Sequence, residues 1–168
     1  SFLISTEKGN IFHSGDWKFQ NAHNLEENHN LDTYRSLGNN GILAMISDST
    51  NSLVDGVTPS EKDAYKGLLE TIKDETGVVL VTCFSSNISR IKSIFEIAFI
   101  TNRSVIVVGR SLLRAIEAAR EVGYIKNIPI IIKSRDFELI PRSNILVICT
   151  GSQGETGSAL SRISMDTD

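Results

Sequence analysis

The chain has 168 residues, 40% of them hydrophobic, with 17 lysines and arginines against 20 aspartates and glutamates. This is enough for one packed domain, or one domain plus part of another, and the net charge of −3 excludes a global pull on polyanions, so any nucleic-acid contact needs a local patch. The apolar runs fall far short of the roughly 20 residues that cross a bilayer, and none reads as a signal peptide.

The chain starts at Ser1 inside a strand-like segment and so reads as an excised piece. Residues 2–5 and 10–13 form a predicted hairpin turning at Glu7-Lys8-Gly9-Asn10. His13-Ser14-Gly15-Asp16 follows, then a polar connection over 20–40 with one short helix. Ile42–Ile46 reads as a buried strand ending at Ser47-Asp48-Ser49-Thr50-Asn51. Thr58-Pro59-Ser60-Glu61 has the pattern of a capping box with proline at the first helical position, and Ala64, Leu68, Leu69 and Ile72 give that helix an apolar face. From Gly77 the pattern becomes regular. Val78–Thr82, Val105–Val108, Ile130–Ile132 and Ile145–Cys149 are predicted strands. Between them, Ile88, Ile91, Ile94, Phe95 and Ala98 mark one helix; Leu112, Leu113, Ile116 and Ala119 mark a second, stopped by Gly123. Short β-branched runs alternating with amphipathic helices predict an α/β fold in three layers, a mainly parallel sheet with helices on both faces. Such sheets bind ligands beyond the carboxyl ends of their strands.

Several strand ends carry polar loops. After Ile145–Cys149, an unbroken apolar run, comes Thr150-Gly151-Ser152-Gln153-Gly154-Glu155 and then a short helical pattern. Unpaired N–H groups, a helix start and glycine together suit an anion. Ser85-Ser86-Asn87 and Gly109 supply two further strand-to-helix turns, and each places an arginine, Arg90 or Arg110, near the positive end of a helix dipole. An exposed cation there is unfavourable by about 0.3–1 kcal/mol. A bound phosphate would reverse that sign, and so would a neighbouring carboxylate; for either arginine singly the two weigh equally, and two such turns plus the Gly151–Glu155 loop on one sheet edge shift the weight toward phosphate. Asp16 at a strand end could ligate a metal or cap a turn, and alone the turn is favoured. Asp48 could be an active-site carboxylate or close an Asx-turn. His23 and His29 add no ligand spacing, and a zinc site takes about three or four protein ligands. Cys83 and Cys149 read as reduced core residues of a cytoplasmic protein. The glycines fit neither the dinucleotide fingerprint nor a P-loop.

Five stretches in order, HSGDWKF, ISDSTN followed by TPSE, FSSNISRI, VVGRS and TGSQGETGSALSRI, resemble bacterial ribonuclease J, in the β-CASP branch of the metallo-β-lactamase superfamily. The resemblance implies an αββα metallo-β-lactamase sandwich with an inserted β-CASP domain, and two zinc ions activating water to hydrolyse RNA, internally or from the 5′ end. It implies that Asp16 is the metal-bridging aspartate and that Asp48 is the catalytic acidic residue of the first β-CASP motif. Ser85, Ser86, Asn87, Arg90, Gly109, Arg110, Ser111, Gly151, Ser152, Gln153, Gly154 and Glu155 would line the RNA channel. On this pattern residues 1–56 are a partial metallo-β-lactamase segment and 57–168 the β-CASP domain. Residues 1–16 would then be poorly anchored or pair with any available edge. The H-x-H-x-D-H metal cluster has no match in the chain, Gln20 replaces an acidic residue, and Thr156 stands where proline is common. The expected fragment is inactive alone and without zinc. Its partners are RNA and the missing metallo-β-lactamase halves, with a second copy of the parent as a further candidate and no membrane. The rival readings are a stand-alone phosphate- or nucleotide-binding α/β module without hydrolysis, and a domain that serves oligomer contacts.

Overall fold

The computed structural model describes residues 1–16, 31–56 and 58–165, which separate into two compact units, Ser1–Ser60 and Glu61–Asp168. Gln20, His23 and His29 lie outside the described residues, as does Val57, where the second domain was expected to begin.

In the first unit, β1 (Phe2–Thr6) and β2 (Gly9–His13) pair antiparallel with Phe2 opposite His13 and Thr6 opposite Gly9. The turn is therefore only Glu7-Lys8, tighter than the four residues expected. Thr6 holds it, with Oγ1 donating to the Gly9 carbonyl at 2.8 Å and accepting from Lys8 N–H at 3.2 Å. Along its other edge β2 pairs parallel with β3 (Ala44–Ile46), placing Phe12 opposite Met45. The helix α1 (Leu31–Asn39) brings Tyr34 edge-on to Phe12, with ring centroids 5.9 Å apart. Phe12 is buried, but Leu43, Met45 and Ile46 are 64%, 52% and 52% exposed. The buried strand expected over 42–46 is thus a short exposed one: β-branched composition sets extended backbone, whereas burial depends on what covers the sheet.

In the second unit the strands β4 (Val79–Thr82), β5 (Ser104–Val108) and β6 (Ile145–Cys149) form a parallel sheet in the order β4-β6-β5. β6 is central and buried at all five positions, which explains its continuous apolar run. Ile130–Ile132 contributes only a bridge of Ile131 to Val105. The run is three residues long and follows Pro129, which has no N–H to offer a ladder.

The helices are α2 (Glu61–Ile72), α3 (Ile88–Ile100), α4 (Arg110–Glu121) and α5 (Ala159–Ser164). One sheet face carries the main core, where Ile72, Ile91, Ile94, Phe95, Leu112 and Ile116 meet Val81, Val105, Val107, Leu146 and Ile148. The other face is thinner: Ile106, Ile145 and Val147 lie under Phe137 and Ile140, around a 3₁₀ turn at Ser134–Leu139. Helical layers flank both faces, but three α-helices cover one and a 3₁₀ turn the other. Leu113 departs from its expected place on the core side: it is 46% exposed, because the stripe of α4 runs through Leu112, Ile116 and Ala119. α2 starts at Glu61, later than the capping-box pattern predicts, and the Glu61 carboxylate bonds to Arg90.

Opposite the polar loops, at the amino ends of the strands, sits a residue that no sequence pattern singles out. Arg103 is 5% exposed. Its guanidinium donates to the carbonyls of Gly77 (2.9 Å), Ile145 (3.0 Å) and Glu75, tying the lead-in to β4 to the first residue of β6. Burial lowers its pKa from the usual arginine value, and the Glu75 carboxylate opposes that shift.

Candidate nucleic-acid interface

Parallel pairing places Thr82 and Val108 both opposite Cys149, so β4, β5 and β6 end together and their loops share one edge of the sheet. Beyond β4, Cys83 N–H donates to the Cys149 carbonyl at 3.1 Å. The chain then turns tightly through Ser85 and Ser86, and Asn87 caps α3 by accepting the Arg90 N–H at 2.9 Å, as asparagine should. The Arg90 side chain turns to a carboxylate. Its Nε and Nη2 donate to Glu61 Oε2 and Oε1 at 2.7 and 3.0 Å, a two-pronged fork on a pair only 28% and 13% exposed. The electrostatic reason for expecting a phosphate at Arg90 is therefore removed, because Glu61 supplies the compensating charge. The same turn buries Cys83, and burial raises its thiol pKa from 9.0 to about 11, with Arg90 pulling it down and Cys149 adding a smaller upward push.

Beyond β5 the arrangement differs. Gly109 precedes α4 at φ +120°, a conformation side chains rarely adopt, and offers no side-chain cap. Arg110 and Ser111 follow at the helix start, both exposed. Among the described residues Arg110 has no ion-pair partner. Its charge stays uncompensated at the positive end of a twelve-residue helix.

The loop beyond β6 closes on itself. A Cβ on Gly151, at φ +118°, would lie 2.6 Å from Ser158 Oγ and 2.7 Å from Leu160 Cβ. Its glycine is required by packing against the start of α5, not by an approaching ligand. Gly154 N–H donates to the Gly151 carbonyl at 3.1 Å, and Gln153 N–H donates to the Glu155 carboxylate at 3.2 Å. The open amide cradle expected over Gly151–Glu155 is thus partly filled from within, by an anion the loop itself carries.

The three turns are consequently not equivalent. An open cleft of about 930 Å³ gathers Gly109, Arg110 and Ser111 with Thr150 and Ser158, and leaves out Arg90, Ser85, Ser86, Asn87 and the 151–155 loop. It adds two residues that are not among the expected channel-lining residues, Arg114, outside the motifs, and Arg162, near the end of the TGSQGETGSALSRI stretch. The signal for Arg114 lies in the spacing: residues four apart share a helix face, so Arg114 stacks one turn beyond Arg110. Arg162 Nη1 donates to the Gly157 carbonyl at 3.0 Å, which holds the guanidinium beside the cleft. Three arginines and no carboxylate line this cleft among the described residues.

In the first unit, β2 and β3 likewise end together, Ser14 N–H donating to the Ile46 carbonyl at 2.9 Å. Buried Ser14 accepts the Asp48 N–H on its Oγ at 3.1 Å, joining the two aspartate loops. Asp48 Oδ1 accepts from the N–H (2.9 Å) and hydroxyl of Thr50, the Asx-turn that its sequence allowed. Asp16 is exposed. His13 Nδ1 accepts the Gly15 N–H at 3.0 Å, which shapes the turn before Asp16. Among the described residues no three histidine, cysteine, aspartate or glutamate side chains come together as a metal site. These residues by themselves do not fit a two-zinc centre.

A parallel α/β sheet with its polar loops gathered at one edge defines the class. Residues 76–168 match the family model for the β-CASP domain of ribonuclease J, and the chain belongs to that family. It is 39% identical over 166 residues to a ribonuclease J of Sinorhizobium meliloti, covering 99% of this chain and 29% of the relative. Ribonuclease J of Helicobacter pylori is 38% identical over 170 residues, covering 99% and 24%, and that of Synechocystis is 38% identical over 164, covering 96% and 25%. The chain therefore spans 24–29% of the length of these relatives. Among the described residues no helix is long and apolar enough to cross a membrane.

Proposed function

We propose that this chain is part of a metal-dependent ribonuclease of the ribonuclease J type, and that it supplies the β-CASP wall of the RNA channel. The observation that carries the reading is the common edge: the parallel order β4-β6-β5 brings all three polar turns of the matched region to one side of the sheet. Residues 1–56 are read as a metallo-β-lactamase segment, in which Asp16 would supply one carboxylate ligand to zinc and Asp48 would be the acidic residue of the first β-CASP motif. Zinc there would supply an activated water and a Lewis acid for the phosphodiester. The other donors would be contributed by the rest of the parent enzyme, so the chain alone is read as inactive. Phosphate contact falls to the Arg110 side of the edge, where charge is available, and much less to Arg90, where it is spent on Glu61. Cys83 and Cys149 are free and buried, which supports a cytoplasmic setting.

The test is a zinc determination and an RNA-cleavage assay on the full-length parent carrying Asp16→Asn. A drop of at least about 100-fold in activity together with lost zinc is expected from removing a metal ligand. Unchanged zinc content and unchanged cleavage would sink the assignment.

A further inference from the structure

We propose that Ser14 is a positioning residue for phosphodiester cleavage, its buried hydroxyl setting where Asp16 and Asp48 stand relative to each other. That role rests on the reading of both aspartates as reaction-centre carboxylates, and adds the group that holds their two loops together. β2 and β3 stay paired up to His13 opposite Ile46, and the Ser14 N–H closes the ladder on the Ile46 carbonyl at 2.9 Å. Beyond that bond the strands become loops, with Asp16 two residues past Ser14 in one and Asp48 two residues past Ile46 in the other.

The Ser14 hydroxyl works in both directions. Its Oγ donates to the Gly15 carbonyl at 2.6 Å and accepts the Asp48 N–H at 3.1 Å. The first bond holds the peptide unit that leads into Asp16; the second holds the N–H of Asp48 itself. One short relay, carbonyl to hydroxyl to amide, therefore joins the two aspartate backbones. A hydroxyl is a donor and an acceptor at once, and on the short serine stem it makes both bonds across a narrow gap. Alanine makes neither. Neighbouring groups complete the clamp. His13 Nδ1 accepts the Gly15 N–H at 3.0 Å, with Gly15 at φ +64°, so the turn before Asp16 is held on both sides of Gly15. Asp48 is likewise gripped at both ends, its N–H by Ser14 and its Oδ1 by the Thr50 N–H at 2.9 Å. Thr50 orients the carboxylate within its own loop, whereas Ser14 ties that loop to the other one. Ser14 is only 2% exposed, so water competes little for these bonds. Placement matters at such a centre, because a shift of about 1 Å can cost on the order of 100-fold in rate.

The experiment compares Ser14→Ala, Ser14→Thr, Asp16→Asn and Thr6→Val in the full-length parent enzyme. Thr6 is the control, since its hydroxyl holds the turn at the other end of the same hairpin. RNA cleavage is measured below the melting temperature of every variant and resolved into kcat and KM. Hydrogen exchange of the Asp48 amide is followed by mass spectrometry of the peptide that contains it. Ser14→Ala should lower kcat by about 10- to 100-fold, the range for removing a group that orients a reacting one, with KM for RNA unchanged. Its Asp48 amide should exchange at least about tenfold faster. Ser14→Thr keeps the hydroxyl and should keep both properties. Thr6→Val should lower the melting temperature and leave kcat and the Asp48 amide as they are. Full kcat in Ser14→Ala, or an equal loss in Thr6→Val, overturns the positioning role. A Ser14→Thr enzyme that keeps the slow Asp48 amide and loses the rate overturns it too. Asp16→Asn separates the two levels. If it is inactive while Ser14→Ala is fully active, the reaction-centre reading stands and the role of Ser14 falls; if Asp16→Asn is active, both fall.

Discussion

Two turns at the same sheet edge begin alike and end in opposite electrostatic states. After β4 and after β5 the chain leaves a strand, turns within a few residues and starts a helix with an arginine in its first turn. At Arg90 the side chain finds Glu61, the first residue of α2, and becomes part of the scaffold. At Arg110 no carboxylate meets it among the described residues, and it lines a cleft with two more arginines. Position relative to a helix dipole thus does not tell a structural arginine from a ligand-binding one. What tells them apart is whether another element delivers a counter-charge, and α2 delivers one to the first turn only.

The sharpest way to break this contrast is to remove the counter-charge. Glu61→Ala leaves Arg90 partly buried and unpaired, and takes an acidic residue from the start of α2. Loss of one partner of a buried pair destabilises by about 3–5 kcal/mol. Because the Arg90 side chain keeps 28% of its exposure, water makes up part of that loss, and about 2–3 kcal/mol is expected. Chemical denaturation of wild type and Glu61→Ala reads it directly. A change below about 0.5 kcal/mol, the range of a surface pair, would place Arg90 in the same class as Arg110 and dissolve the comparison.

Much of the scaffold is legible from periodicity. Five consecutive apolar residues announce the central place of β6, and the spacing of Ile91, Ile94, Phe95 and Ala98 marks the buried stripe of α3. Asn87 is readable as a cap because its chemistry is local. The site is less legible because it depends on pairs far apart in sequence. Nothing near Arg90 announces Glu61, 29 residues earlier. Gly151 reads as room for a ligand until Ser158 and Leu160 are seen in the space a side chain would need. Ile42–Ile46 reads as buried because strand composition and burial correlate, but they are separate properties. Arg162 is hidden for the same reason as Glu61: only the fold sets α5 beside α4.

A second test uses the thiol behind Arg90. Burial pushes Cys83 from 9.0 to about 11, so the folded chain keeps its proton where the unfolded chain has lost it. A raised acid pKa means stability that is complete below pH 9 and falls as pH rises from about 9 to 11, because the unfolded state then binds fewer protons. Two pKa units correspond to about 3 kcal/mol at most. Unfolding followed across that window should show wild type losing more stability than Cys83→Ala. Arg90→Gln should shift the wild-type window upward, since Arg90 pulls the thiol down, whereas Arg110→Gln should leave it in place. Equal pH slopes for wild type and Cys83→Ala would mean that water reaches the thiol.

The smallest expected effect separates the two arginines most cleanly, because it differs in sign. Arg90→Gln strands Glu61 and destabilises. Arg110→Gln removes a cation from the positive end of α4, and should stabilise by about 0.3–1 kcal/mol at low salt. For a unit of this size that is a rise in melting temperature of roughly 2–6 °C. Added salt should erase the gain, since an exposed charge is screened within a Debye length of about 3 Å at 1 M. A fall in melting temperature for Arg110→Gln in low salt without ligand would mean that a carboxylate reaches Arg110 in solution. The two turns would then be one kind of turn, and the cleft would lose its unspent charge.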